Sequence, residues 1–396
     1  MKANRHAGLV ALLLLVFSLS NMSRLVFAPL LVPIRDEMGF SQSRAGSLFL
    51  LIALGYAPGM FFSGYITAWV RHRGTILLSL IFQAAGMLIA AVSSSFLIMA
   101  VGLFLLGMGS GAYLSSGNAS LVAVIPPEKR SFAVAVHEMG PNLGFFAAPL
   151  VVLLLFDLIR WRGILIVLVC VNCLVTLLYA RYGFGGEAYG QTPKPGRLKA
   201  VLKLPEAWLF FALETVGLCV LQGVFTILPM FLVITRGLDP GLVNKLVSAS
   251  RVSCVAMLIV SGFLINAIGA RAVILLAFTV SGALTVLLGV TTGTPLLAAV
   301  VAQPALIATV FPAAMLIFFT IGPPESQNVT FSFILSFAVL IANGLMPTFF
   351  GWLGDHGLLP AGFVGLAALV FLCAFLIYRN PSFGQNAVRR KPACRV

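Results

Sequence analysis

The chain has 396 residues, 60% of them hydrophobic and 9% charged, and its mean hydropathy is +1.07. A soluble globular domain is roughly half apolar and a quarter charged, so this composition excludes a soluble enzyme or binding domain and makes the bilayer the main solvent. The formal net charge of +14 would point to nucleic acid in a soluble protein, so its placement along the chain has to be read first.

A helix that crosses a bilayer needs roughly 20 mostly apolar residues. Twelve segments qualify, and they are numbered here as spans 1 to 12: 8–34, 45–70, 75–95, 97–124, 132–156, 160–181, 207–234, 243–268, 272–292, 295–320, 329–353 and 359–378. The start of the chain is basic and then apolar, as in a secretion signal. Its apolar run continues past Arg24 without a small-residue cleavage site, so it reads as span 1. Continuous apolar runs exclude a strand barrel, which needs alternating segments of about ten residues. The expected fold is an all-α polytopic membrane protein.

The longest polar stretch between spans, 182–206, follows span 6 and is rich in Gly, Pro and basic residues. It divides the chain into an N-terminal six-helix bundle (1–181), a cytoplasmic linker (182–206), a C-terminal six-helix bundle (207–378) and a basic cytoplasmic tail (379–396). With both termini inside, 17 of the 25 Lys and Arg residues fall in inside segments and 6 in outside ones. That bias sets the orientation and accounts for most of the net charge without a nucleic-acid partner. It places the protein in the inner (cytoplasmic) membrane with both termini cytoplasmic.

The end of span 2, "SGYITAWVRHRG" from Ser63, resembles the end of span 8, "SGFLINAIGARA" from Ser261. Gly64 and Gly262 stand 198 positions apart, half the chain, and each is followed nine residues later by an arginine, Arg73 or Arg271. Two halves related by a parallel repeat give such an offset.

These motifs, with the twelve-span layout, resemble the major facilitator superfamily of secondary transporters. That family carries Gly-x-x-x-Asp-x-x-Gly-x-Arg/Lys after span 2 and a weaker copy after span 8. The second copy here reads Gly262, Asn266, Gly269 and Arg271. The first keeps Gly64 and Arg73, with Ala68 and Arg71 in place of the acid and the second glycine. Span 5 carries the family's Gly-Pro-x-x-Gly as Gly140, Pro141 and Gly144, and Leu103 stands where the family has an arginine in span 4. The resemblance implies two pseudo-symmetric six-helix bundles around a central cavity lined mainly by spans 1, 4, 7 and 10.

A charge at mid-bilayer costs about 2.5–3.5 kcal/mol on insertion scales, so it should face the bundle interior. Arg24, Glu138, Glu214 and Arg251 qualify. Arg24 and Arg251 come one from each half, and a guanidinium binds a carboxylate, sulfonate or phosphate bidentately. The two are read as a substrate-anion site, against the plainer reading that each pairs with a glutamate or with helix-end carbonyls. Glu138 and Glu214 are candidates for proton coupling, because a buried carboxylate can carry a proton near neutral pH; the alternative is that they anchor the cytoplasmic ends of their spans. His137, adjacent to Glu138, should face about 100° away on a helix and pack. Asn21, Tyr113, Asn118, Gln222 and Gln303 are further substrate-contact candidates, each equally able to tie neighbouring helices.

No Walker A sequence, metal-ligand cluster or nucleophile–base spacing is found, so neither ATP, a metal, a cofactor nor enzyme activity is expected. Cys170 and Cys173 form a CxxC inside span 6 with no nearby His or acid and read as packing residues. The expected function is a monomeric secondary transporter, a symporter moving a small organic anion with protons. The alternative is a proton-driven exporter of amphipathic or cationic compounds.

Overall fold

The computed structural model describes residues 2–190, 204–318, 324–380 and 383. Residues 191–203 of the linker and nearly all of the basic tail lie outside the described residues. Every regular element among the described residues is helical. Among the described residues, ten helical stretches are long and apolar enough to cross a membrane. Two of them, Gln42–Val92 with 51 residues and Pro127–Tyr182 with 56, are more than twice what one crossing needs. Each breaks at a non-helical residue, Arg71 (φ 62°, ψ 169°) in the first and Arg160 (φ 55°, ψ −179°) in the second. Dividing them there gives the twelve crossings that hydropathy predicts.

Prolines and caps set the local breaks. Span 1 is two helices, Lys2–Leu25 and Phe27–Met38. The first helix ends at Leu25, four residues before Pro29, which has no N–H to give the Leu25 carbonyl. Gly39 ends the second helix in the left-handed conformation (φ 65°), and its N–H bonds to the Arg35 carbonyl. Span 2 then starts at Ser41, whose hydroxyl accepts from the Arg44 N–H. The Asp355 carboxylate, at the end of span 11, accepts from the Gln42 N–H at 2.7 Å and the Ser43 N–H at 3.0 Å. Two of the orphan donors of this helix end are thus satisfied from far along the chain.

The repeat seen in the sequence has a structural counterpart. Arg71 and Gly269 are 198 positions apart and share a positive-φ, extended-ψ conformation, Gly269 at φ 84° and ψ 153°. Arg73 donates to the Ala180 carbonyl at the end of span 6. Arg271 donates to the Ile377 and Tyr378 carbonyls at the end of span 12. Ala180 and Tyr378 are again 198 apart. Each arginine caps the last carbonyls of the sixth helix of its half, where cations are favoured.

The contacts group the chain into two compact units. One holds Met1–Pro193, Thr226–Ser248 and Asn343–Asp355; the other holds Lys194–Phe225, Ala249–Ala342 and His356–Val396. In the first unit, spans 2 and 4 approach to backbone contact. Gly55 and Gly59 face the carbonyls of Phe104 and Met108, and Gly107 and Gly111 face those of Ile52 and Tyr56. Small residues at four-residue spacing permit this approach. A buried apolar core beside it joins Leu13 and Phe17 of span 1, Leu80 of span 3, Tyr113 of span 4 and Tyr179 of span 6. In the second unit, Phe210 of span 7 packs on Phe318 of span 10 with ring centroids 4.8 Å apart.

Candidate functional site

In the first unit, the sequence candidates fall into two regions. On span 1, Asn21 donates to the Phe17 carbonyl at 2.9 Å and accepts from Arg24 Nη2 at 2.6 Å. The guanidinium carbon of Arg24 lies 4.6 Å from the centre of the Tyr56 ring of span 2. Arg24 forms no ion pair among the described residues, and its Nε is buried without a hydrogen bond. A stacked ring and one amide oxygen orient this cation without neutralising it. Gly144 places span 5 against the same turn of span 1: a Cβ there would come within 2.8 Å of Asn21 Cβ. Tyr56 is a member of this site that sequence reasoning missed, because nothing in the spacing pairs position 56 with position 24.

The second region joins spans 1, 4 and 5. Tyr113 is fully buried. Its hydroxyl donates to the Leu13 carbonyl at 2.9 Å and lies 2.9 Å from His137 Nε2. The hydroxyl is committed inside the protein and points to a tie between helices, unlike the substrate contact expected for it. Asn118 Nδ2 donates to Glu138 Oε1 at 3.2 Å. The Glu138 side chain is half-exposed, and its Oε1 is 3.5 Å from His137 Nδ1. As adjacent helical residues the two side chains diverge: His137 is buried and Glu138 half-exposed, although their polar tips come within 3.5 Å. The helix Pro127–His137 stops at His137, Glu138 is its C-cap, and a new helix starts at Gly140. Pro141 causes the stop, since it has no N–H for the His137 carbonyl. The adjacent Gly-Pro was the available signal that the helix stops here.

The second unit holds the other candidates. Glu214, in the helix Pro205–Leu218, is 3% exposed and forms no hydrogen bond or ion pair among the described residues. Gln222 lies in a five-residue π-helical turn, Cys219–Gly223. There the Val224 N–H reaches back to the Cys219 carbonyl, which frees the Val220 carbonyl; Gln303 Nε2 takes it at 3.0 Å. Gln303 is therefore engaged in satisfying the widened turn. Arg251 is 4% exposed, with its guanidinium carbon 4.5 Å from the centre of the Phe225 ring. Each unit thus holds an intramembrane arginine laid over an aromatic ring. A separate cavity of about 560 Å³ in the first unit is lined by Pro29, Val32, Phe156 and three aspartates, Asp36, Asp157 and Asp239. None of the candidate site residues lines it. Among the described residues no group of three or more His, Cys, Asp or Glu is placed to hold a metal.

The sequence profile of the Major Facilitator Superfamily matches residues 13–265. The chain belongs to this superfamily. The relatives it matches, and the solved structures that share its fold, are named as transporters. The chain is 32% identical over 174 residues to the probable sulfoacetate transporter SauU of Cupriavidus necator, 44% of this chain and 40% of that one. It is 31% identical over 158 residues to the uncharacterised transporter YgaY of Escherichia coli K12, covering 40% of each. The chain therefore spans about 40% of the length of the curated relatives it matches. Among solved structures, a bacterial homologue of the human lysosomal transporter Spinster, in an inward-facing and occupied conformation, superposes with a TM-score of 0.79 at 17% identity, over 96% of this chain and 98% of that one. The nucleoside transporter NupG superposes with a TM-score of 0.77 at 13% identity, over 93% and 99%. At these identities the superfamily members share the fold.

Proposed function

We propose that this superfamily member is a proton-coupled secondary transporter that moves a small organic anion, bearing a carboxylate or sulfonate, by alternating access. The observation that carries the reading is Arg24: a cation within an apolar span that forms no ion pair among the described residues. Intramembrane charges are costly and mark substrate or ion pathways. A cation left unneutralised awaits a mobile anion. In the first unit Asn21 orients Arg24, and Asn118 is a further proposed contact; in the second unit Arg251 and Gln222 are the residues proposed to bind the anion. The relative named a probable sulfoacetate transporter supports an acid of this class as the substrate. Glu138 and Glu214 are the carboxylates proposed to carry protons. The Lys and Arg bias supports an inner-membrane protein with its termini and the 182–206 linker on the cytoplasmic side, and a monomer is the working unit in this proposal.

The second reading, a proton-driven exporter of cationic or amphipathic compounds, draws on the cavity lined by Asp36, Asp157 and Asp239. Asp36 is paired with Arg35 at 3.0 Å, and Asp157 and Asp239 leave the lining acidic, which attracts cations and repels anions. A thermal-shift screen of the purified protein against mono- and dicarboxylates, sulfonates, phosphate and cationic drugs separates the two. A ligand at 100 times its dissociation constant stabilises by about 2.7 kcal/mol. Stabilisation by a carboxylate or sulfonate that disappears in Arg24→Gln and Arg251→Gln supports the anion reading. Stabilisation by cations alone, unchanged in both variants, replaces it with the exporter.

A further inference from the structure

We infer that the His137 imidazole, held between the Tyr113 hydroxyl and the Glu138 carboxylate, is a further proton-binding site of the carrier, loaded from Glu138, and that Nδ1 is the atom that gains and loses the proton. This rests on the proton-coupled reading above and adds a site to it.

The assignment follows from which atoms can donate. The Leu13 carbonyl can only accept, so the Tyr113 hydroxyl proton is committed to it at 2.9 Å. The contact of 2.9 Å between Tyr113 Oη and His137 Nε2 must then be donated from the ring, which fixes a proton on Nε2. That leaves Nδ1 as the variable atom. It is buried without a hydrogen bond and sits 3.5 Å from Glu138 Oε1. With Nδ1 unprotonated, its lone pair faces a carboxylate oxygen. With Nδ1 protonated, the same geometry is a charge pair.

The two side chains divide the work. His137 is completely buried, its ring stacked on Phe17 with centroids 4.7 Å apart and planes 12° from parallel. Glu138 is half-exposed, and Asn118 donates to its carboxylate. A protonated Glu138 carboxyl passes its proton to Nδ1: the O–H bond breaks, the N–H bond forms, and the electron pair stays on the carboxylate. The groups packed around the ring are few. Span 1 presents Leu13 and Phe17. Span 4 presents Tyr113, and Tyr179 of span 6 lies in the same buried core. On the histidine's own helix, the nearest charges before it are Glu128, Lys129 and Arg130, about two turns away.

One face of span 1 connects this site to the arginine. His137 stacks on Phe17, the Phe17 carbonyl accepts from Asn21, and Asn21 accepts from Arg24. Gly140 and Gly144, just beyond the helix break, pack against Phe17 and Asn21 in turn. Residues 13, 17, 21 and 24 share that face at helical spacing. Charge added at Nδ1 is thereby three contacts from the proposed anion site.

Two measurements test the assignment. Nitrogen-15 NMR of histidine-labelled wild-type protein, with the His137 signals identified by their loss in His137→Gln, reads the protonation of both ring nitrogens across a pH series. The expected result is an Nε2 that stays protonated throughout and an Nδ1 that gains its proton on acidification; an Nδ1 that never changes overturns the assignment. In proteoliposomes with a pH gradient, sulfoacetate is the probe anion. The amide introduced by His137→Gln can still donate to the Tyr113 hydroxyl. The variant is expected to keep sulfoacetate exchange across the membrane while gradient-driven accumulation falls to the level seen without a gradient. Gradient-driven accumulation equal to wild type in His137→Gln overturns the site and leaves proton coupling standing. Accumulation by the wild type that ignores the gradient overturns proton coupling itself, and the site with it.

Discussion

Arg71 sits at φ 62°, a region that costs a residue with a Cβ about 1–3 kcal/mol. Its repeat mate 198 positions later is Gly269, in the same conformation and with open space where a Cβ would stand. The first half has an arginine in place of the glycine and keeps the backbone. Arg71 recovers part of the cost by lying 4.8 Å from the Tyr189 ring centre, a contact of about 0.5–1 kcal/mol at an exposed site. Arg71→Gly is therefore expected to raise stability by about 1 kcal/mol, while Gly269→Ala loses about 1–2 kcal/mol through φ alone. Thermal unfolding of the two variants in detergent checks both signs; a less stable Arg71→Gly would mean the ring contact outweighs the strain. Single residues were legible in proportion to how foreign they are to their surroundings. Arg24 and Glu138 stand out because a charge in an apolar run has few innocent explanations. His137 did not, because its partners Phe17 and Tyr113 lie on helices that the sequence separates from it. Tyr113 did not, because its acceptor, the Leu13 carbonyl, is 100 residues away.

Helix against helix, the chain relies on backbone proximity more than on side-chain bulk. Gly107 faces the Ile52 carbonyl so closely that a methyl group there must push spans 2 and 4 apart. Gly107→Ala is expected to cost about 1–3 kcal/mol, as overpacking does. It should also weaken the proposed anion site, because span 2 carries Tyr56 under Arg24. A lowered unfolding temperature together with a smaller ligand-induced shift is the expected pair of results. If the unfolding temperature falls but the ligand shift is intact, Tyr56 is not held by this contact. In the second unit, Gln303→Leu leaves the Val220 carbonyl of span 7 without its donor, a loss of about 1–3 kcal/mol; an unchanged unfolding midpoint would mean the π turn closes on its own. The small-residue pairs were readable in the sequence as four-residue spacings. The π turn was not, since it depends on which carbonyl another helix can reach.

For the whole molecule, the layout was the easiest thing to read and the site the hardest. Lipid admits only apolar surfaces and internally bonded backbones, so crossings appear directly as apolar runs, even the two pairs that fuse across Arg71 and Arg160. The repeat was visible as a spaced motif, and the structure gives it a physical job: Arg73 and Arg271 close the ends of spans 6 and 12. Removing the second cap in Arg271→Gln exposes two carbonyls and is expected to cost about 1 kcal/mol, comparable to other helix caps. Hydrogen exchange at the last turn of span 12 should rise while the rest of the chain keeps its protection; no change there would mean water serves those carbonyls as well. The arrangement of the polar residues was beyond reach because each of their contacts joins helices that the sequence separates widely.

The carboxylate at the start of span 2 also sets a clock. Gln42 and Asp355 are separated by 313 residues, and synthesis proceeds at about 5–20 residues per second, so Asp355 is made about 15–60 s after Gln42. During that interval the new helix end is already placed in the membrane, and Ser41 is the cap it carries from its own neighbourhood. A nascent chain halted before Asp355 is expected to show faster hydrogen exchange at the Gln42 and Ser43 amides than the finished protein, with the slow rate arriving only once span 11 has emerged.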